Sequence, residues 1–286
     1  MSGLVFACIA PHGSMIIPLL GEKGAEKAFK TCMAMEELGR RIAVAQPKTL
    51  VIITPHGHRV DGCFSLLNNR RVQGSLGPEP ESNGHSFTLT FEVDRELNAA
   101  IVEEAHALNV PVARLGYAVP DETQFWQPLD WGALVPLWFL GMPLNPQPKV
   151  VIACPDRGNV PWELSEPFGL AVRKAAEALG RRIALIASAD MGHAHDADGP
   201  YGFDPASAEY DEAVVEAVKS HDLGRLLTFD LEWVKRASTD SFGQLLNLHG
   251  AIKGTYFRGE LLSYEVPTYF GMMSVAYEAE PRTEPL

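Results

Sequence analysis

The chain has 286 residues, of which 46% are hydrophobic and 21% charged, and it carries a formal net charge of −12. That length can bury a full core, while the acidic balance, with no basic cluster to offset it, argues against nucleic acid or an anionic membrane surface as a partner. No apolar stretch approaches the ~20 residues needed to cross a bilayer.

Residues 4–10 form an apolar, strand-like run that leads into Pro11-His12-Gly13. Residues 27–44 place Ala28, Cys32, Met35, Leu38 and Ile42 at helical spacing, ahead of Pro47. A second apolar strand, 50–54, leads into Pro55-His56-Gly57-His58. Residues 68–84, rich in Gly, Pro, Asn and Glu, read as the longest loop. Residues 87–93 alternate like a half-buried strand, 95–107 read as a helix, and 110–115 as a short strand. A helix over 131–140, a buried strand over 150–154 and a helix over 167–179 follow. The apolar strand 182–187 then delivers Asp190 and His193 at its carboxyl end. Helices over 205–219, 230–235 and 242–252 and strands over 261–266 and 273–277 complete the series. Strands alternating with helices predict an α/β fold, a single domain over 1–286 whose central sheet, mostly parallel or mixed, has helices on both faces.

The cysteines, Cys8, Cys32, Cys63 and Cys154, are scattered and form no CxxC pair. That suits a reducing cytoplasm better than a disulfide framework, and the first residues lack the basic start and apolar run of a secretory leader. A cytoplasmic protein is the expectation.

Ligands and catalytic groups collect at the carboxyl edge of α/β sheets, and three strand-like runs end there in histidine: His12, His56 and His193. A strand-end histidine often does no more than hydrogen-bond a turn. Three in the same setting point to chemistry, and the glycines beside the first two would leave a ligand room to approach. Two neutral imidazoles and one carboxylate define one face of an octahedron and leave the other open, a pattern that suits non-haem Fe(II). His58 would share a face with His56 if the strand continued, but an exposed or supporting role fits it better. His85, His106, His195, His221 and His249 lack strand-end placement and read as surface or helix histidines. Asp61, Asp130, Asp156, Asp190 and Asp240 could each supply the carboxylate, and spacing does not choose among them. Asp240 also reads as a helix N-cap before 242–252. Trp131, Phe125, Trp126, Tyr201 and Phe203 could line an aromatic pocket or simply pack in the core.

Six blocks recur in a family's order: Ala10-Pro11-His12-Gly13 with Ile16-Ile17-Pro18; 51–57; 129–137; 187–193 with 198–204; 248–252; and Leu262-Ser263-Tyr264-Glu265. Together they resemble the class III extradiol ring-cleavage dioxygenases, the LigB-like superfamily, and especially its branch related to Memo-like proteins. The resemblance implies His12, His56 and Asp240 as metal ligands and His193 as the acid–base residue. It further implies Fe(II), with zinc or manganese as alternatives, acting on a small aromatic diol and O2. A homodimer is left open. Trp131 stands where the family commonly has histidine, and Asp240 where the usual carboxylate is glutamate. Two other classes stay open: a Memo-like metal-binding or redox protein without ring cleavage, and a zinc-dependent hydrolase whose ligands activate water.

Overall fold

Strands that are apolar on both sides must be covered on both sides, and here that requirement shapes the architecture. The computed structural model describes residues 3–77, 84–156 and 158–279. In chain order the elements are β1 (Gly3–Ala10), α1 (Phe29–Ala45), β2 (Thr49–Ile53), β3 (Phe64–Leu67), β4 (Arg71–Leu76), β5 (Phe87–Glu92), α2 (Arg95–Ala107), β6 (Val112–Leu115) and β7 (Trp126–Pro128). There follow α3 (Trp131–Leu140), β8 (Lys149–Pro155), α4 (Ser165–Ala178), β9 (Arg182–Ser188), α5 (Ala206–Lys219), α6 (Leu231–Arg236), α7 (Phe242–Ile252), β10 (Phe257–Glu265) and β11 (Met272–Ala279).

The main sheet has eight strands in the order β10-β11-β1-β9-β2-β8-β3-β6, and β5-β4-β7 form a second, three-stranded sheet. Strands β1, β9, β2 and β8 run parallel, whereas β11 and β3 pair antiparallel with β1 and β8. The fold is therefore α/β, with a mixed sheet flanked by helices on both faces. Successive residues of β1 serve opposite cores. Ala7 and Ile9 pack with Leu97, Phe168, Tyr210 and Leu245 of α2, α4, α5 and α7. Phe6 and Cys8 pack with Met35, Val72 and Leu137, from α1, the small sheet and α3. Phe64 stacks on Phe168 with ring centroids 4.1 Å apart, and truncating a buried ring of this kind typically costs about 3–5 kcal/mol.

One segment departs from its sequence reading. Within 68–84, expected as a loop, β4 pairs along its length with β5, from Arg71 opposite Glu92 to Leu76 opposite Phe87. Its polar residues Arg71, Gln73 and Ser75 alternate with Val72, Gly74 and Leu76, so the apolar signal was too sparse to read. The rest of that expected loop, 78–83, lies outside the described residues. The short β3 and β7 also carried no legible pattern. Among the described residues, no helix is long and apolar enough to cross a membrane.

Candidate functional site

The strand order brings the site together. His12 follows β1, His56 follows β2, and β9 lies hydrogen-bonded between them, ending in Ser188 and Asp190. Asp240 comes from the segment before α7. One donor atom from each of His12, His56 and Asp240 lies within 4.8 Å of the others. The Nε2 atoms of His12 and His56 are 3.2 Å apart, and Asp240 Oδ2 lies 3.3 Å from the first and 3.6 Å from the second.

Asp240 does not cap its helix. Ser241 holds the cap position without a side-chain hydrogen bond, and Asp240 turns inward, where its Oδ1 accepts the Asp190 N–H at 3.0 Å. The other candidate carboxylates are placed differently. Asp130 caps α3 through the Gly132 N–H, Asp156 accepts from Gly62 N–H and Asn159, and Asp61 is exposed. Asp190 joins the cluster. Its Oδ1 accepts the His12 N–H, and its Oδ2 lies 3.3 Å from His12 Nε2.

A hydroxyl sets the tautomer of His12. Ser188 Oγ donates to the Gly132 carbonyl at 2.5 Å, so its lone pairs face His12 Nδ1 at 3.0 Å. His12 Nδ1–H therefore donates, and Nε2 turns toward the carboxylates, the arrangement that metal-binding histidines use. Ser188 could have been suspected from the sequence as the lone hydroxyl ending an apolar strand.

Electrostatics mark the cluster as short of a cation. Burial alone would push His12 down, but Asp190 and Asp240 override it and raise its pKa to about 9. Burial raises Asp190 to about 7 against the pull of His12. Asp240 is also opposed by burial, yet His12, the hydrogen bonds to both imidazoles and the nearby His193 hold it below its ordinary range. Two buried carboxylates beside two imidazoles, both presenting Nε2, are a donor set that a divalent cation fits.

His193 stands beside this set. Its Nδ1–H donates to the Met191 carbonyl at 2.8 Å, which leaves Nε2 as the basic nitrogen. Phe270 stacks on its ring at 5.3 Å and Tyr201 meets it edge-on at 5.4 Å. His58 lies outside the cluster, and its carbonyl accepts from Ser65 Oγ. His195, read from the sequence as a surface or helix histidine, is largely buried, with Nε2 2.9 Å from Asp211 Oδ2. Asp211 also accepts the Gly192 N–H and the Tyr264 hydroxyl, tying down the loop that carries His193. This contact was not legible in the sequence, because Asp211 lies on α5 with no pattern linking it to His195.

The cluster floors a cleft of about 820 Å³. Of the aromatic residues proposed from the sequence, Trp131 and Tyr201 line it, while Phe125, Trp126 and Phe203 do not; Trp162, Phe242, Tyr269 and Phe270 do. The Trp131 indole leans on the His56 ring at 4.3 Å. The glycine after His56 serves packing more than access. Gly57 has φ +89°, and a Cβ there would lie 2.7 Å from Asp130 Oδ2.

The chain is similar to known proteins in sequence and in fold. A Clostridium acetobutylicum protein, CA_C1420, is 27% identical over 257 residues, covering 90% of this chain and 54% of the relative, so the chain spans about half the length of that protein. The crystal structure of the uncharacterized protein JW3007 from Escherichia coli K12 shares the fold, with a TM-score of 0.56 at 15% identity over 95% of this chain and 99% of that one. Residues 6–274 match the family described as the catalytic LigB subunit of aromatic ring-opening dioxygenase, and the chain belongs to that family.

Proposed function

We propose that the protein is an extradiol dioxygenase, opening a catechol-type ring next to its hydroxyl pair and adding both atoms of O2. In this reading His12, His56 and Asp240 hold Fe(II) and His193 is the acid–base residue. The observation that carries it is the convergence of those three donor atoms at a cleft that His193 also lines. Held by these residues, Fe(II) would supply the redox chemistry that lets O2 react with a diol.

The chain's own groups supply the rest. His193 Nε2 accepts a proton from a substrate hydroxyl and returns it to an oxygen atom as the ring opens. Imidazole suits both directions because its pKa lies near the working pH. The Met191 carbonyl and the Phe270 face keep that ring oriented. Ser188 keeps the His12 proton on Nδ1, while Trp131, Tyr269 and Phe270 line the cleft with aromatic faces on which a flat substrate ring can lie.

The test is anaerobic reconstitution with Fe(II), then a screen of catechols for oxygen consumption and a coloured ring-opened product. One O2 consumed per diol supports the reading. Absence of uptake on every diol, with Fe(II) shown to be bound, would overturn it in favour of a Memo-like metal-binding protein. Hydrolytic turnover with zinc under anaerobic conditions would favour the hydrolase.

A further inference from the structure

Resting on the reading above, we infer that the substrate carries an uncharged apolar arm beside its diol, and that Trp162, Leu231, Val234 and Phe242 receive it. The cleft volume of about 820 Å³ falls in the ~300–1,000 Å³ range of sites for drug-sized ligands. A bare catechol would leave most of it to water.

One wall is apolar, preformed and continuous with the metal cluster. Phe242 lies two residues beyond Asp240 and is 3% exposed, and Val234 of α6 is 4% exposed. Trp162 meets the Phe242 ring edge-on at 5.4 Å. Its indole lies directly on the α7 backbone, because a Cβ at Gly243 would come within 2.8 Å of it. Phe229 stacks on Phe242, and Trp233 in turn packs on Phe229. A wall fixed in this way loses little side-chain freedom when a ligand covers it. Leu231, 37% exposed, extends it toward solvent.

The charges argue that the arm is neutral. The cations lining the cleft among the described residues, Lys23, Arg59 and Lys235, are all exposed, and Lys235 pairs with Glu232. Among the described residues, a carboxylate carried onto the Trp162–Phe242 wall would lose water and meet no buried Lys or Arg there.

The experiment compares catechol, 4-propylcatechol, 4-phenylcatechol and 3,4-dihydroxybenzoate in two ways. Calorimetry measures their binding to the metal-loaded protein without O2, and oxygen uptake measures kcat/KM. Binding should tighten roughly three- to fourfold per buried methylene, should be tightest for the phenyl arm, and should be weakest for the benzoate. Trp162→Ala and Leu231→Glu should both flatten that gradient. The second places an acid in the first turn of α6, where the helix dipole favours it, so it tests the wall without threatening the fold. Equal binding of all the diols by the wild type, or an unchanged gradient in both variants, would overturn the arm site even if every diol were cleaved. A steep binding gradient without oxygen uptake would uphold the arm site while the dioxygenase reading failed.

Discussion

Two buried carboxylate clusters sit at opposite ends of the same sheet. At the amino end Asp94, 1% exposed, accepts from the Thr49 hydroxyl at 2.5 Å, the Leu97 N–H at 3.2 Å and the Arg181 guanidinium at 2.8 Å. Its counter-charge is built into the chain and cannot be titrated away. At the carboxyl end Asp190 and Asp240 are as deeply buried, but the cations facing them are imidazoles, which carry charge only when protonated. The carboxylates are buried at both ends. In the reading proposed above, what separates the structural cluster from the metal-binding one is whether the chain supplies its own permanent cation.

The largest effect should come from removing a donor at the carboxyl end. After anaerobic reconstitution, metal analysis should show His12→Ala, His56→Ala and Asp240→Ala nearly empty and His58→Ala loaded. Full occupancy in Asp240→Ala would move the carboxylate role to Asp190. Next comes His193→Ala, which should bind metal normally while ring cleavage falls by about 10²–10⁴-fold, the usual contribution of a positioned acid–base group. Metal loss in that variant would make His193 a ligand and erase the division of labour.

A third effect follows from the proton on His12. Its folded pKa of about 9 exceeds the ordinary 6.5, so in the metal-free protein it contributes stability fully present below pH 6.5 and lost as pH rises through about 9. A metal must displace that proton. Affinity should therefore rise by about tenfold per pH unit up to about pH 9 and then level off, as chelator competition would show. A flat profile would mean that the cluster already lacks its proton. The smallest effect belongs to the amino end. Arg181→Met leaves Asp94 without its cation and should cost about 2–3 kcal/mol in urea unfolding, with metal stoichiometry unchanged. Metal loss there would show that the two clusters are not independent.

The sequence made the carboxyl-end cluster more legible than the amino-end one, and the reason is local. His12, His56 and His193 each follow an apolar run, so strand and ligand are read together. Asp240 looked equally good as an N-cap, because nothing local shows which way its carboxylate turns; only the Asp190 N–H does. The paired elements β1, β2, β8 and β9 are continuous apolar runs and were easy to recognise, whereas β4 hid among polar residues. The apolar wall was invisible, since Trp162 and Phe242 are far apart in the chain and meet only through the packing of α7. Asp94 and Arg181 likewise carry no pattern linking them.

The placement of β9 between β1 and β2 also governs timing. His12 and His56 precede residues 182–188 in the chain, yet the strands that carry them are not neighbours. Residues 182–188 must enter between them before His12 and His56 are held at the observed separation, and Asp240 arrives later still. Such non-local closure is slow compared with local structure. In the reading proposed above, capture of the metal therefore follows closure of the sheet and reports it.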